Sequence, residues 1–119
     1  MQIAGPYTVT IGAYPDTDAE IETSRIDGRI VGVGIAVHSN TGNISITTKG
    51  DSQTPAQTIL TKNSVGTDAW FYPRQAIQKN DGSSITAQYD HGTPVCDLLV
   101  IAVSSASDGD VFDFTFMVE

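Results

Sequence analysis

Phe112, Phe114, Phe116 and Val118 fall at every second position, with Asp113, Thr115 and Met117 between them. A repeat of two is the side-chain period of a β-strand, so this segment can bury one face only if it is extended. The same alternation recurs in Tyr7, Val9, Ile11 and Ala13, in Ile44 and Ile46, and in Ile85, Ala87 and Tyr89. Each run predicts a strand with one buried face. Two longer segments, residues 29–38 and 95–104, are apolar at nearly every position and rich in Val and Ile, which predicts central strands covered on both sides. Gly32 and Gly34 interrupt the first of these on one face, so a bulky neighbour or a close backbone approach is expected there.

Turn residues separate the runs at short intervals: Asp27-Gly28, Asn40 to Asn43, Lys49-Gly50-Asp51, Asn80-Asp81-Gly82, His91-Gly92 and Asp108-Gly109-Asp110. No apolar stripe of helical period extends over about twelve residues; residues 74–79 could form one helical turn. The pattern predicts an all-β fold of about eight or nine short strands, an antiparallel β-sandwich or jelly roll, with a closed barrel as the alternative. The 119 residues hold one domain and one core, residues 1–5 forming an extended N-terminal arm. A chain of this length buries roughly two-thirds of its unfolded surface and needs no metal or disulfide staple. Residues 50–58 are the most loop-like stretch and are expected to be mobile or to reach a partner.

Fourteen acidic residues against six scattered basic ones give a formal charge of -8. Phosphate backbones call for clustered Lys and Arg, so nucleic acid is not an expected partner. Acidity can instead keep the protein soluble or steer it toward a basic protein surface. The N-terminus lacks the basic and apolar regions of a secretory signal, and no stretch approaches the roughly 20 apolar residues of a membrane helix. Neither export by that route nor a membrane span is expected.

The residues also argue against an enzyme and against a cofactor. His38 and His91 are far apart in sequence, without the spacing of a zinc site, and no Gly-x-Ser-x-Gly elbow is present. Asp16-Thr17-Asp18 and Asp108-Gly109-Asp110 with Asp113 could offer oxygens to calcium, but neither completes a calcium loop, and Asp beside Gly is what a tight turn prefers. The single Cys96 lies in an apolar run with no basic neighbour in sequence, which predicts a small apolar core residue.

The string Ala69-Trp70-Phe71-Tyr72-Pro73-Arg74 carries two readings. Its rings could form a stacking platform for sugars or bases, or a strand whose alternate aromatics plug the core, the reading favoured here. Pro73 cannot donate to a ladder, so the strand should be short or at an edge. The residues expected outside a sandwich, and therefore offered as partner contacts, are Met1, Gln2 and Ile3 at the N-terminus, Asp51, Gln53 and Pro55 in the loop, and Trp70, Tyr72 and Arg74.

At this string and earlier ones the chain resembles small structural proteins of tailed-bacteriophage heads and tails. The resemblance lies in the order of Ile26 to Ile30 (IDGRI), a Thr- and Ile-rich strand at residues 44–48, Ile59-Leu60-Thr61-Lys62, Trp70 to Arg74 (WFYPR) and Asp81-Gly82-Ser83, followed by a late apolar strand and a terminal one, from about Glu20 onward. It implies a non-enzymatic virion protein, made in the host cytoplasm, decorating and cementing the outside of the capsid against the major capsid protein. Since one small contact gains little, multivalent docking predicts a homo-oligomer, a trimer about a local three-fold point. A neck, tail or head-fibre component is the alternative the resemblance leaves open. The aromatic string, taken alone, leaves a carbohydrate-binding module.

Overall fold

The computed structural model describes residues 1–119 and contains eleven strands and no helix. In chain order they are β1 (Gln2–Thr10), β2 (Ala19–Glu22), β3 (Ile26–Val37), β4 (Gly42–Thr48), β5 (Thr58–Val65), β6 (Ala69–Phe71), β7 (Arg74–Gln78), β8 (Ser84–His91), β9 (Thr93–Asp97), β10 (Leu99–Ser104) and β11 (Val111–Val118). Their pairing is nested and antiparallel: β1 with β11, β2 with β10, β3 with β6, β4 with β5. One sheet runs β1-β11-β3-β6, with β9 also on β3, and the other runs β2-β10-β4-β5. This is the strand order of a jelly roll, in which a long folded-over ribbon wraps into two facing sheets.

The core lies between the sheets because the alternations place it there. Phe112, Phe114 and Phe116 are fully buried from the middle of the first sheet, and Ile44, Ile46, Leu99, Ile101 and Val103 meet them from the second. Val9, Ile30, Val33 and Ile35 complete the layer. The glycine interruption in β3 has the expected cause. Met117 of β11 folds over Gly32, and the Trp70 ring of β6 lies over Gly34, so Gly32, Val33, Gly34 and Ile35 are all buried.

β9 and β6 lie along the same edge of β3: Ile26 to Ile30 pair with residues 97–93, and Val33 to Ile35 pair with residues 71–69. Between them the chain makes an excursion, the hairpin β7-β8, which pairs with no other strand. The Cα radius of gyration is 14.9 Å and the molecule measures 48 × 30 × 27 Å, slightly more extended than the about 13.5 Å of a compact chain of this length.

Several sequence expectations change. The strands number eleven, because the 95–104 run is broken at Leu98 into β9 and β10 of different sheets, and because residues 74–78 form strand β7 where a helical turn over 74–79 was considered. Residues 1–5 are no free arm: Gln2, Ile3 and Ala4 pair with Val118, Met117 and Phe116. Ala13 lies beyond the end of β1 and is exposed. The alternation of Ile85, Ala87 and Tyr89 is real as a strand but has no buried face, since nothing packs over β8. Cys96 is exposed on β9, because a strand that pairs with one edge of β3 turns alternate residues outward.

Candidate functional site

Of the nine named partner residues, the outward face of the first sheet gathers Ile3 and Trp70, with Tyr72 beside them. Thr115 and Trp70 flank Gly34 on its two sides, and one register step away Met117 covers Gly32 with Ile3 beside it. Gly34 does not need its freedom of φ; it needs its lack of a side chain. A Cβ there would stand 2.8–2.9 Å from three carbons of the Trp70 benzo ring. The indole therefore lies on the sheet, held from below, while remaining 46% exposed. Tyr72, two residues on, is 60% exposed and Ile3 61%. Phe71 points the other way and packs against the core. The aromatic string thus divides: Phe71 plugs the core, whereas Trp70 and Tyr72 do not.

Beside the indole runs an open groove of about 300 Å3. Gly34 and Ala36 form its floor, Trp70 and Asp68 one wall, Asp113 and Thr115 the other. The carboxylates are held in place. Thr8 Oγ1 donates to Asp113 Oδ1 at 2.6 Å and His38 Nε2 stands 2.8 Å from Oδ2. The Thr8 hydroxyl first, and His38 second, hold the Asp113 carboxyl below the usual carboxylate range. Asp68 Oδ1 accepts the Val37 N–H at 2.8 Å. No Lys or Arg lines the groove.

The hairpin of residues 74–91 leaves the sheet next to this face. None of its residues is buried; Ala76 and Ile85 are half-buried, while Ile77 and Tyr89 are exposed apolar side chains. Its base is fixed: Gly92 N–H donates to the Pro73 carbonyl at 2.9 Å, and Arg29 Nη1 donates to the His91 carbonyl at 2.9 Å and lies 3.9 Å from Asp90. Arg74 pairs with His91 at that base. The excursion is therefore rooted in the sandwich but packed against none of it.

Asp51, Gln53 and Pro55 lie in the 50–58 loop, away from this face and tied down more than its composition suggested. Asp51 Oδ1 accepts the N–H groups of Gln53 (2.8 Å) and Thr54 (2.7 Å), which hold its carboxyl below the usual range. Gly50 N–H donates to Asp97 Oδ2 at 2.8 Å, and Gln57 Nε2 to the Pro94 carbonyl at 2.7 Å. A wider groove of about 520 Å3 runs between this loop and β9, with Pro55 and Cys96 on its walls. Arg25 Nη2 stands 2.7 Å from the Cys96 Sγ, yet the Asp27 carboxylate outweighs it and pushes the thiol up, so the thiol stays protonated at neutral pH. Met1 is 79% exposed at the end of β1.

Asp110 of the Asp108-Gly109-Asp110 turn is buried and accepts from Ser39 Oγ (2.6 Å), Asn40 Nδ2 (3.1 Å) and Ser107 N–H (2.9 Å). Its oxygens close a turn, as the Asp-Gly chemistry suggested. No three His, Cys, Asp or Glu side chains converge in a metal-holding cluster. What the outward face offers chemically is recognition: a flat ring, fixed acceptors and an apolar strip. Sequence reasoning named Ile3, Trp70 and Tyr72 but missed Asp68, Asp113, Ile77 and Tyr89. The signal for the groove was present in Gly34, a gap in an apolar run that required something large above it. Comparison with protein-family models, with curated proteins and with solved structures finds no match for this chain.

Proposed function

We propose that this chain is a non-enzymatic structural protein of a phage particle, sitting on the outside of the capsid and bridging major capsid subunits through the 74–91 hairpin and the aromatic face beside it. The observation that carries the reading is the hairpin. A two-stranded ribbon standing alone is marginal in water, and this one buries no residue of its own. Exposed Ile77 and Tyr89 on a rooted, outstretched ribbon gain burial when another protein lies against them. The ordered motifs from about Glu20 onward that resemble phage head and tail proteins are what suggests this setting. A jelly roll hosts viral capsid and lectin domains alike, so the fold by itself does not choose.

A small cementing domain must offset the entropy of immobilisation with several weak contacts at once. Three copies about a local three-fold point meet that need by multivalency. Counting copies on the purified particle by quantitative mass spectrometry tests the reading. Hundreds of copies, with particles that rupture at lower temperature or milder osmotic shock when the protein is missing, are expected. A dozen copies or fewer assign it to the neck, tail or a head fibre instead, and particles equally durable without it end the cementing reading.

A further inference from the structure

We propose that the groove between Trp70 and Asp113 is a receptor for a guanidinium group, presented by an arginine side chain of the docking partner. The identity of that partner rests on the reading above; the chemistry of the groove does not.

The first element is the ring. Because Gly34 seats it from below, the indole is a fixed plate with an open face. A planar cation stacks on an indole better than on any other side chain, and guanidinium, flat and weakly hydrated, suits it better than a lysine ammonium. The second is the acceptor set. Asp68 Oδ1 takes one hydrogen bond and Asp113 takes one on each oxygen. An ionised carboxyl has about four acceptor positions, so both retain capacity facing a ligand with five donors. The third is charge. The groove holds two carboxylates and no Lys or Arg, in a chain of formal charge -8; an anion would be repelled. A neutral sugar could stack on the same ring but would desolvate two carboxylates without neutralising them. A groove of about 300 Å3 is at the small end for a ligand site and matches one side chain better than an extended chain of sugars.

Trp70 is the only tryptophan, so tryptophan emission, excited to the red of the four tyrosines, reports the groove. The isolated wild-type protein is titrated with acetyl-Gly-Arg-Gly-amide, with the same peptide carrying neutral citrulline, and with methyl glucoside. A saturable emission change is expected for the arginine peptide alone, with a Kd on the order of millimolar for so small a ligand. It should weaken roughly tenfold or more in Asp68→Asn, which keeps an acceptor for Val37, and should weaken with added salt. Equal response to citrulline, a linear response without saturation, or saturation by the glucoside would overturn the proposal, the last in favour of a sugar site. The titration needs no particle. Its failure leaves the capsid reading standing, whereas saturable peptide binding by a protein that particles do not retain sinks the capsid reading alone.

Discussion

Asp110 is 2% exposed in a chain that carries surplus acid on its surface, and its burial is tolerated because Ser39, Asn40 and Ser107 all donate to it. Ser39 most of all holds the carboxyl below the ordinary value. A group whose folded value is depressed adds stability above its unfolded value, near pH 4, and that stability is lost as pH falls through the folded value. Thermal melts of wild type should therefore drop steeply below about pH 4, and Asp110→Ala should lose about 1–3 kcal/mol at pH 7 by stranding its donors while flattening that acid slope. An unchanged slope in the variant would place the acid sensitivity elsewhere. Phe114 gives a second residue-scale test. It is fully buried, so Phe114→Ala should cost about 3–5 kcal/mol in chemical denaturation, whereas Thr115→Ala, on the groove side, should cost far less; equal losses would contradict the register of β11. Cys96 marks what single residues do not disclose. Its environment is set by Arg25 and Asp27, 71 positions away for the arginine, and only the pairing of β3 with β9 brings them together.

The strands that face the opposite sheet with mainly polar residues on their outer side were legible from period alone. In β4 and β11 the buried positions follow the alternation residue by residue, because half-burial against a second layer is what produces that pattern; β10, expected to be covered on both sides, buries Leu99, Ile101 and Val103 on one face and leaves Val100 and Ala102 half-buried on the other. The same alternation in β8 misled, since period two records an extended backbone and says nothing about whether a second layer lies over it. β7 was obscured for another reason: Gln75, Ala76 and Gln78 alternate no large apolar groups, and the register shifts between Ala76 and Gln78. An element with no buried residue adds little to the fold. Replacing residues 75–90 by a short Gly-Ser turn between Arg74 and His91 should then shift the Tm by only a few degrees, the scale of about 1 kcal/mol in a domain of this size. A collapse of the cooperative transition would show that the hairpin is part of the core unit after all.

At the scale of the molecule the charge is unevenly placed. Arg74 and Lys79 balance Asp81 and Asp90 within the hairpin, so the formal charge of -8 resides on the sandwich. A neutral ribbon can reach across to a neighbour while acidic bodies repel, and the acidic body can be drawn toward a basic lattice. If it is, raising salt through the physiological range should slow association severalfold and alter dissociation less, measured by surface-immobilised particles. A salt-independent on-rate would leave the acidity a matter of solubility. The nested order of the jelly roll lay beyond the sequence, since pairing the first strand with the last depends on how all the intervening ones wrap. The most direct test of the docking account is co-sedimentation of full-length and hairpin-shortened protein with particles stripped of it. The full chain should saturate the particles and restore their resistance to heat, while the shortened chain, equally folded, stays in the supernatant. Equal binding by the two would contradict the account.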